Sequence, residues 1–262
     1  MPYSPRMLLS ARENGSGPDV VLLHSGVADG RAWEPQAEAL ARRYRVIRPD
    51  LRGFGWSPLP HEPYSDTGDV LNLLDHLDVS ACHVVGSSMG GQVALELALA
   101  RPERVSSLVL LCPAFGGLAP TATAQAFGDR EAALLEAGAV DEAVELNLET
   151  WLGPGASADA REQVRRMQRH AFDVQLAADA DPTFPWPEPV DVDPTRIRAP
   201  TLVVSGDHDM DHFQHIARHL ASSIPDARLA TLPWAGHLPG VERPQLVSDL
   251  LLEFLVRRST PG

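Results

Sequence analysis

Short apolar runs alternate along the chain with longer stretches in which apolar residues recur every three or four positions. The runs at residues 20–23 and 105–111 are almost continuously apolar, which is typical of strands buried on both faces of a sheet. Residues 33–43 and 70–77 have helical spacing instead. This alternation predicts an α/β fold with a mostly parallel sheet, right-handed crossovers and flanking helices.

The alternation stops between residues 113 and 195, where no β-branched run occurs. The stretches with helical spacing in that region are residues 124–137, 141–151 and 158–178. The strand pattern then returns, and the last helix is predicted over residues 242–256. We therefore predict an α/β core formed by residues 1–112 and 196–262, with residues 113–195 inserted as a helical cap, or lid, over the sheet.

The residues around Ser88 form a glycine-rich turn between a predicted strand and a predicted helix. They read Gly86-Ser87-Ser88-Met89-Gly90, the pattern G-x-S-x-G of a nucleophile elbow. A serine in such a strained turn leaves little room for side chains two positions away, and the two glycines provide that room. We predict Ser88 as the nucleophile rather than Ser87, whose neighbours two positions away are not glycine. The alternative is a tight turn that packs a helix on the sheet.

A serine nucleophile needs a base, usually histidine, and a carboxylate that orients the base. In the chain order Ser…Asp…His, both follow Ser88 and both belong at the carboxyl ends of strands. His237 follows a glycine after the last predicted strand, so it is the predicted base. Asp207, Asp209 and Asp211 compete as the acid. Turn formation explains Asp207 well, and N-capping of the next helix explains Asp211.

The negative oxygen of a tetrahedral intermediate needs two preorganised N–H donors, which form an oxyanion hole. One is expected from Met89, the residue after the nucleophile, at the start of a helix. The other is expected from the loop after the strand at residues 20–23, where Gly26 and Val27 compete. A plain glycine turn is the alternative interpretation of that loop.

Composition and charge argue against several classes of function. The 262-residue chain has a formal net charge of −13 and an isoelectric point near 5.1, which disfavours non-specific binding to nucleic acids or anionic membranes. No apolar run approaches the ~20 residues of a membrane span, and no signal-peptide pattern follows the first residues. We expect a soluble cytoplasmic protein, and the sequence leaves homo-oligomerisation open.

Cysteine and histidine residues do not indicate a metal site. Cys82 and Cys112 lie in apolar, strand-like runs and are predicted to be buried free thiols. The histidines in or beside one predicted helix are His208, His212, His215 and His219. Their spacing suits zinc, but no matching ligand cluster lies elsewhere in the sequence, so a solvated helix face is the better interpretation. We therefore predict that the protein binds no metal.

Five segments together resemble the α/β-hydrolase-fold family over nearly the whole chain. They are Leu23-His24-Ser25-Gly26, Asp50-Leu51-Arg52-Gly53-Phe54-Gly55, Gly86-Ser87-Ser88-Met89-Gly90-Gly91, Gly206-Asp207-His208-Asp209 and Gly236-His237. The family's acid usually ends a G-x-x-D segment, which implies Asp209. Its second oxyanion donor usually lies two residues after the histidine at the strand end, which implies Gly26. The family's usual His-Gly pair is His24-Ser25 in this chain.

The resemblance implies a serine hydrolase that needs no cofactor and no metal. In that mechanism Ser88 attacks an acyl carbonyl, His237 takes its proton and Asp209 orients the imidazole, and water later releases the acid from the acyl-enzyme. Within the family, the chain is similar to small bacterial esterases, lactonases and carbon–carbon bond hydrolases.

The substrate is predicted from the insertion. Trp151 and Met167 are among the apolar side chains expected to line a pocket above Ser88, although each also suits the packing of helices. A small or medium carboxylic ester or lactone is the predicted substrate and partner. The alternatives are a carbon–carbon bond hydrolase of ring-cleavage products and a non-catalytic ligand-binding protein of the same fold.

Overall fold

The computed structural model describes residues 8–181 and 183–259. The strands are β1 (Ala11–Asn14), β2 (Asp19–Leu23), β3 (Arg45–Pro49), β4 (Cys82–Ser87), β5 (Val105–Leu111), β6 (Thr201–Gly206) and β7 (Ala227–Leu232). The helices are α1 (Glu34–Leu40), α2 (Asp66–His76), α3 (Met89–Ala100), α4 (Ala122–Glu136), α5 (Val140–Trp151), α6 (Ala158–Asp179), α7 (Asp211–Ser223), α8 (Pro239–Glu242) and α9 (Pro244–Ser259). Short 3₁₀ turns lie at Gly30–Trp33, Pro102–Arg104 and Pro194–Arg196.

All of these strands belong to one sheet, in the order β1-β3-β2-β4-β5-β6-β7. Strand β1 pairs antiparallel with β3, and every other pairing is parallel. The prediction of an α/β fold with a mostly parallel sheet is therefore confirmed. The parallel arrangement brings the carboxyl ends of β2, β4, β5, β6 and β7 to one edge, which is where ligands bind in such sheets.

The central strands are buried on both faces, as their apolar runs predicted. Successive residues of β2 alternate between two clusters: Val21 and Leu23 pack with α2, α3 and α7, whereas Val20 and Leu22 pack with α1 and α9. Alternation is expected because neighbouring side chains of a strand point to opposite faces. Each face of the sheet thus has its own hydrophobic core, and loops occupy the edge between the two faces.

The helical insertion, defined here as residues 113–195, follows β5 and precedes β6. Its regular elements in the described chain are α4, α5, α6 and one 3₁₀ turn. A third apolar cluster joins α5 and α6 to the loops at the sheet edge, since it contains Trp151 and Met167 together with Val27, Ala28 and Leu238. The insertion is therefore packed directly against the loops that follow β2 and β7. Residues 1–7, 182 and 260–262 of the predicted core and insertion lie outside the described residues.

The predicted last helix at residues 242–256 is wrong in one respect. The structure has two helices there, α8 ending at Glu242 and α9 beginning at Pro244. Arg243 between them has φ −137° and ψ 76°, outside the helical region. Proline lacks a backbone N–H and disfavours helical geometry in the residue before it, which explains the break. Among the described helices, none is both long and apolar enough to cross a bilayer.

Candidate active site

Ser88 follows directly after β4 and has a backbone conformation that is rare outside glycine. Its φ is 50° and its ψ is −114°, a strain of about 1–3 kcal/mol that the surrounding structure must offset. Its N–H donates to the Leu111 carbonyl at 3.0 Å, and its own carbonyl accepts from the N–H groups of Gly91 and Ala114 at 2.8 and 2.9 Å. These bonds hold the half-buried side chain of Ser88 at the start of α3.

Gly86 and Gly90 lie where the backbone leaves no space for a side chain. A Cβ atom on Gly86 would overlap the Gly90 carbonyl, and one on Gly90 would overlap the Leu23 and His24 carbonyls. The Gly90 N–H also donates to the His24 carbonyl at 3.0 Å, which ties α3 to the end of β2. The two glycines of the G-x-S-x-G pattern are therefore required by close backbone contact.

Asp209 and His237 meet beside the same edge of the sheet. The His237 Nδ1 atom lies 3.0 and 2.9 Å from the two carboxylate oxygens of Asp209, and both residues are buried. A carboxylate only accepts, so Nδ1 carries the proton and Nε2 keeps a free lone pair. The Nε2 atom of neutral His237 can therefore accept a proton.

The other two candidate aspartates lie away from His237. Asp207 is exposed, and Asp211 accepts hydrogen bonds from Thr121 Oγ1 at 2.8 Å and from the His212 N–H at 2.9 Å. Asp211 is the first residue of α7, and Met210 rather than Asp211 occupies the N-cap position. Of the three aspartates, the structure brings only Asp209 to the histidine.

Ser88 and His237 lie on either side of the end of β5. The Leu111 carbonyl accepts from Ser88, and the next residue, Cys112, has its Sγ atom within 4.8 Å of a ring nitrogen of His237. Within the described chain Ser88 Oγ makes no hydrogen bond. Hydrogen bonds between nucleophile and base are often long before substrate binds.

Gly26 lies beside the side chain of Met89. A Cβ atom added to Gly26 would lie 3.7 Å from Met89 Sδ and 3.9 Å from Met89 Cβ. Met89 is the first residue of the 12-residue helix α3, so the positive end of the helix dipole lies at its N–H. Val27 is the competing donor. Among the described residues, neither the Gly26 N–H nor the Val27 N–H donates a hydrogen bond to a backbone carbonyl.

His24 holds the loop that carries Gly26. Its Nε2 accepts from the Leu51 N–H at 2.9 Å, and its Nδ1 lies 2.8 Å from the Ser25 carbonyl. One nitrogen must accept and the other must donate, so the ring is neutral with the proton on Nδ1. Burial of the ring lowers the pKa of His24, which stabilises the same neutral form. His24 is thus a structural residue.

Two aromatic rings enclose the imidazole of His237. The Trp151 ring centroid lies 4.7 Å from that of His237, and the Phe213 centroid lies 4.2 Å from it. Trp151 Nε1 donates to Asn147 Oδ1 at 2.7 Å, which fixes the orientation of the indole. Met167, the other predicted pocket residue, is buried in the apolar cluster between the insertion and the core. Trp151 therefore belongs to the site, whereas Met167 is placed only in the cluster beside it.

Sequence reasoning missed three residues that contact the His237 loop. The Phe213 ring packs against the imidazole at an interplanar angle of 58°, Cys112 lies beside the Asp209 carboxylate, and Glu242 accepts hydrogen bonds from the Gly236 N–H at 3.0 and 3.1 Å. No short motif connects these residues with the histidine. The one available signal in the sequence was that Glu242 lies close to His237 along the chain.

Cysteines and histidines were predicted to be structural. Cys82 and Cys112 are buried free thiols, as predicted. In the described chain, the one group whose potential ligand atoms lie within 4.8 Å of one another is Cys112, Asp209 and His237. Burial, followed by the nearby Asp209 charge, raises the pKa of Cys112 well above that of an ordinary thiol. The predicted helix histidines form no such group there.

The chain is similar to known proteins over nearly its whole length. Residues 20–250 match the model of a family described as "Alpha/beta hydrolase family". A protein of Pseudomonas syringae pv. syringae named "Putative carbamate hydrolase RutD" is 32% identical, over 94% of this chain and 96% of its own length.

Two solved structures are also similar. A thermophilic esterase from Thermogutta terrifontis is 27% identical, with a TM-score of 0.82 over 96% of this chain and 94% of its own. The enol-lactonase from Burkholderia xenovorans LB400 is 26% identical, with a TM-score of 0.76 over 95% of this chain and 96% of its own.

Proposed function

Because this chain is a hydrolase that belongs to the alpha/beta hydrolase family, we propose that it cleaves small or medium carboxylic esters or lactones through Ser88, His237 and Asp209. The observation that carries the proposal is the buried hydrogen-bonded pair of Asp209 and His237, beside a serine in strained elbow geometry at one sheet edge. That arrangement supports nucleophilic catalysis, because the base is oriented and the nucleophile is accessible.

In the proposed mechanism, Ser88 Oγ attacks the acyl carbonyl carbon while His237 Nε2 accepts the hydroxyl proton. The N–H groups of Gly26 and Met89 stabilise the negative oxygen of the tetrahedral intermediate. The bond to the leaving oxygen then breaks, and His237 returns the proton to it. Water, deprotonated by His237, attacks the acyl-enzyme and releases the acid and the free serine. Asp209 stabilises the imidazolium that forms twice in the cycle.

The helical insertion acts in this proposal as a cap over the reacting groups. Trp151 supports the assignment, since it comes from α5 of the insertion and packs on the imidazole. The cluster that surrounds it is apolar, and the contact partners on the core side include Val27 and Leu238. An apolar acyl or alcohol group suits such surroundings better than a charged one.

Carbamate hydrolysis is a second candidate, favoured by the name of the relative that is 32% identical over 94% of the chain. A carbamate carbonyl can be attacked by the same serine, and its carbonyl oxygen would use the same N–H donors. The two candidates therefore differ in the group bonded to the carbonyl, and a substrate panel separates them.

The test compares the wild-type protein with Ser88→Ala and, as a control, Ser87→Ala. We expect the wild type to hydrolyse p-nitrophenyl acetate and to be labelled by a fluorophosphonate, with the label mapped to Ser88. Ser88→Ala should lower kcat at least ~10³-fold. A panel of alkyl esters, lactones, carbamates and vinylogous ring-cleavage diketones then ranks the substrate classes by kcat/KM. A folded wild type without serine-dependent turnover would favour the non-catalytic binding protein.

A further inference from the structure

The Glu242 side chain, at the end of α8, is a buried carboxylate that faces the backbone of the His237 loop. It is 7% exposed and accepts from the Gly236 N–H with both oxygens, at 3.0 and 3.1 Å. Burial raises the pKa of this carboxyl, although nearby backbone N–H groups, of which Gly236 contributes most, act in the opposite direction. The bond from Gly236 partly compensates for a negative charge taken out of water.

The backbone around this carboxylate comes from two distant parts of the chain. Gly236 and Leu238 flank His237 in the loop after β7, and Gly153 lies two residues beyond the end of α5. The His237 N–H itself donates to the Trp151 carbonyl at 2.9 Å, at the last residue of α5. One carboxylate therefore fastens the loop that carries the base to the end of a helix in the insertion.

Close backbone contact makes this arrangement specific. A Cβ atom on Gly153 would overlap Glu242 Oε2 and come within 2.7 Å of the Gly236 nitrogen. A Cβ atom on Gly236 would overlap the Gly153 nitrogen. The two segments approach so closely that only glycine fits at positions 153 and 236. The helix break before Pro244 places Glu242 at the end of the short helix α8, where its side chain reaches this contact.

We propose that Glu242 is a positioning residue, which holds the His237 loop against α5 so that the imidazole faces Asp209 and stays packed on Trp151. It touches no reacting atom and acts through the backbone on both sides of the base. Its kinetic consequences rest on the proposed function, whereas its effect on the geometry of the loop does not.

The test is Glu242→Gln, which is nearly isosteric but places an amide NH₂ group among N–H donors. The Gly236 N–H, which bonds to both carboxylate oxygens, then loses one of its two acceptors. We expect kcat for p-nitrophenyl acetate to fall about 10–100-fold with little change in KM, because a displaced base slows the chemical step more than it weakens binding. Labelling of Ser88 by the fluorophosphonate should slow by a similar factor.

Two spectroscopic readouts separate positioning from general stability. The far-downfield proton resonance of His237 Nδ1–H, identified by its loss in His237→Ala, should broaden or shift in Glu242→Gln at temperatures where the protein is fully folded. Amide exchange at Gly236 should accelerate. Glu96→Gln is the matched control, because Glu96 also accepts two side-chain hydrogen bonds, from Thr67 and Gln92. It should leave all of these values unchanged.

Wild-type kcat, labelling and proton resonance in folded Glu242→Gln would overturn the proposal. Should that variant fail to fold, the wild type still decides, because fast exchange of the Gly236 amide would contradict its hydrogen bond to Glu242. A wild type without Ser88-dependent turnover would refute the proposed function alone. The amide exchange and the proton resonance would then still measure what Glu242 does to the loop.

Discussion

The turn at Ser88 is shaped by glycines close to it in sequence, with backbone hydrogen bonds to Leu111 and Ala114 in addition, whereas the side chain of His237 is positioned by residues from distant segments. Gly86, Gly90 and Gly91 shape the serine turn, and each lies within three positions of it. The imidazole of His237 is bound by Asp209 and enclosed by Trp151 and Phe213, the nearest of them 24 positions away. A motif can specify the first arrangement. The second exists only when the sheet and the insertion have packed together.

The two arrangements depend on different physical interactions. The serine turn depends on steric exclusion between closely packed backbone groups, between Gly86 and Gly90 within the turn and between Gly90 and the end of β2. The imidazole depends on hydrogen bonding and ring packing, whose geometry is set by how β6, β7, α5 and α7 are placed. We therefore expect changes near Ser88 to act on folding and changes around His237 to act on turnover. Four predictions examine that expectation.

The largest effect is expected for Asp209→Asn. The amide can donate to Nδ1, which would favour the wrong tautomer and leave Nε2 protonated, so kcat should fall about 10⁴-fold. The stability of the fold should change little by comparison. Steady-state hydrolysis of p-nitrophenyl acetate measures the loss, with the exposed Asp207→Asn as control. A drop of less than about tenfold would remove Asp209 from the proposed mechanism.

Gly86→Ala should act on the fold. The new methyl group would overlap the Gly90 carbonyl, so the free energy of unfolding should fall by about 2 kcal/mol or more. Urea denaturation followed by circular dichroism measures it. Gly128→Ala in α4 is the control, because its Cβ would meet nothing within 4 Å. That substitution should stabilise the helix by about 0.5–1 kcal/mol. Equal stabilities of the two variants would contradict the steric account of the elbow.

Trp151→Ala and Trp151→Phe should separate the ring from its hydrogen bond. Alanine removes the surface on which His237 packs, and we expect kcat to fall about 10–100-fold through misplacement of the base. Phenylalanine keeps a ring there but loses the bond to Asn147, so its kcat should fall by only a small factor. Comparable losses for both variants would mean that the indole N–H, rather than ring packing, matters to the site.

The smallest expected effect is a pH-dependent change in stability caused by Asp66 of α2. Burial, with the charges of Asp69 and Glu96, raises the pKa of Asp66 to about 6. The folded state thus binds this proton more tightly than the unfolded state. The resulting contribution of Asp66 to the free energy of unfolding is present below about pH 4 and is lost as the pH rises through 6. Asp66→Asn should gain about 1 kcal/mol over wild type at pH 8, allowing for partial exposure.

Urea denaturation at pH 4 and pH 8 checks this prediction. The gain should disappear at pH 4, where the wild-type carboxyl is largely protonated. A stability difference between Asp66→Asn and wild type that is the same at both pH values would rule out titration of Asp66 as its cause.

Most of the fold was predictable because its signals are local. The buried strands β2 and β5 were recognised from apolar runs, and α5 and α6 from helical spacing, since both periodicities follow from backbone geometry. The break between α8 and α9 was missed because Pro244 also fits the first position of a helix, so the spacing continues across it. Reasoning from the residues also left the acid open among three aspartates, and a resemblance rather than a spacing selected Asp209.

The sequence by itself determined the α/β pattern, the serine turn with its required glycines, and a histidine in the loop after the last strand. Only the tertiary structure decided which aspartate meets that histidine, that Trp151 and Phe213 enclose its ring, and that Glu242 joins its loop to the insertion. Steric limits and side-chain periodicity act between neighbours in the chain, so they can be read from it. Contacts across long loops depend on how packed elements are oriented, and no spacing in the sequence encodes that orientation.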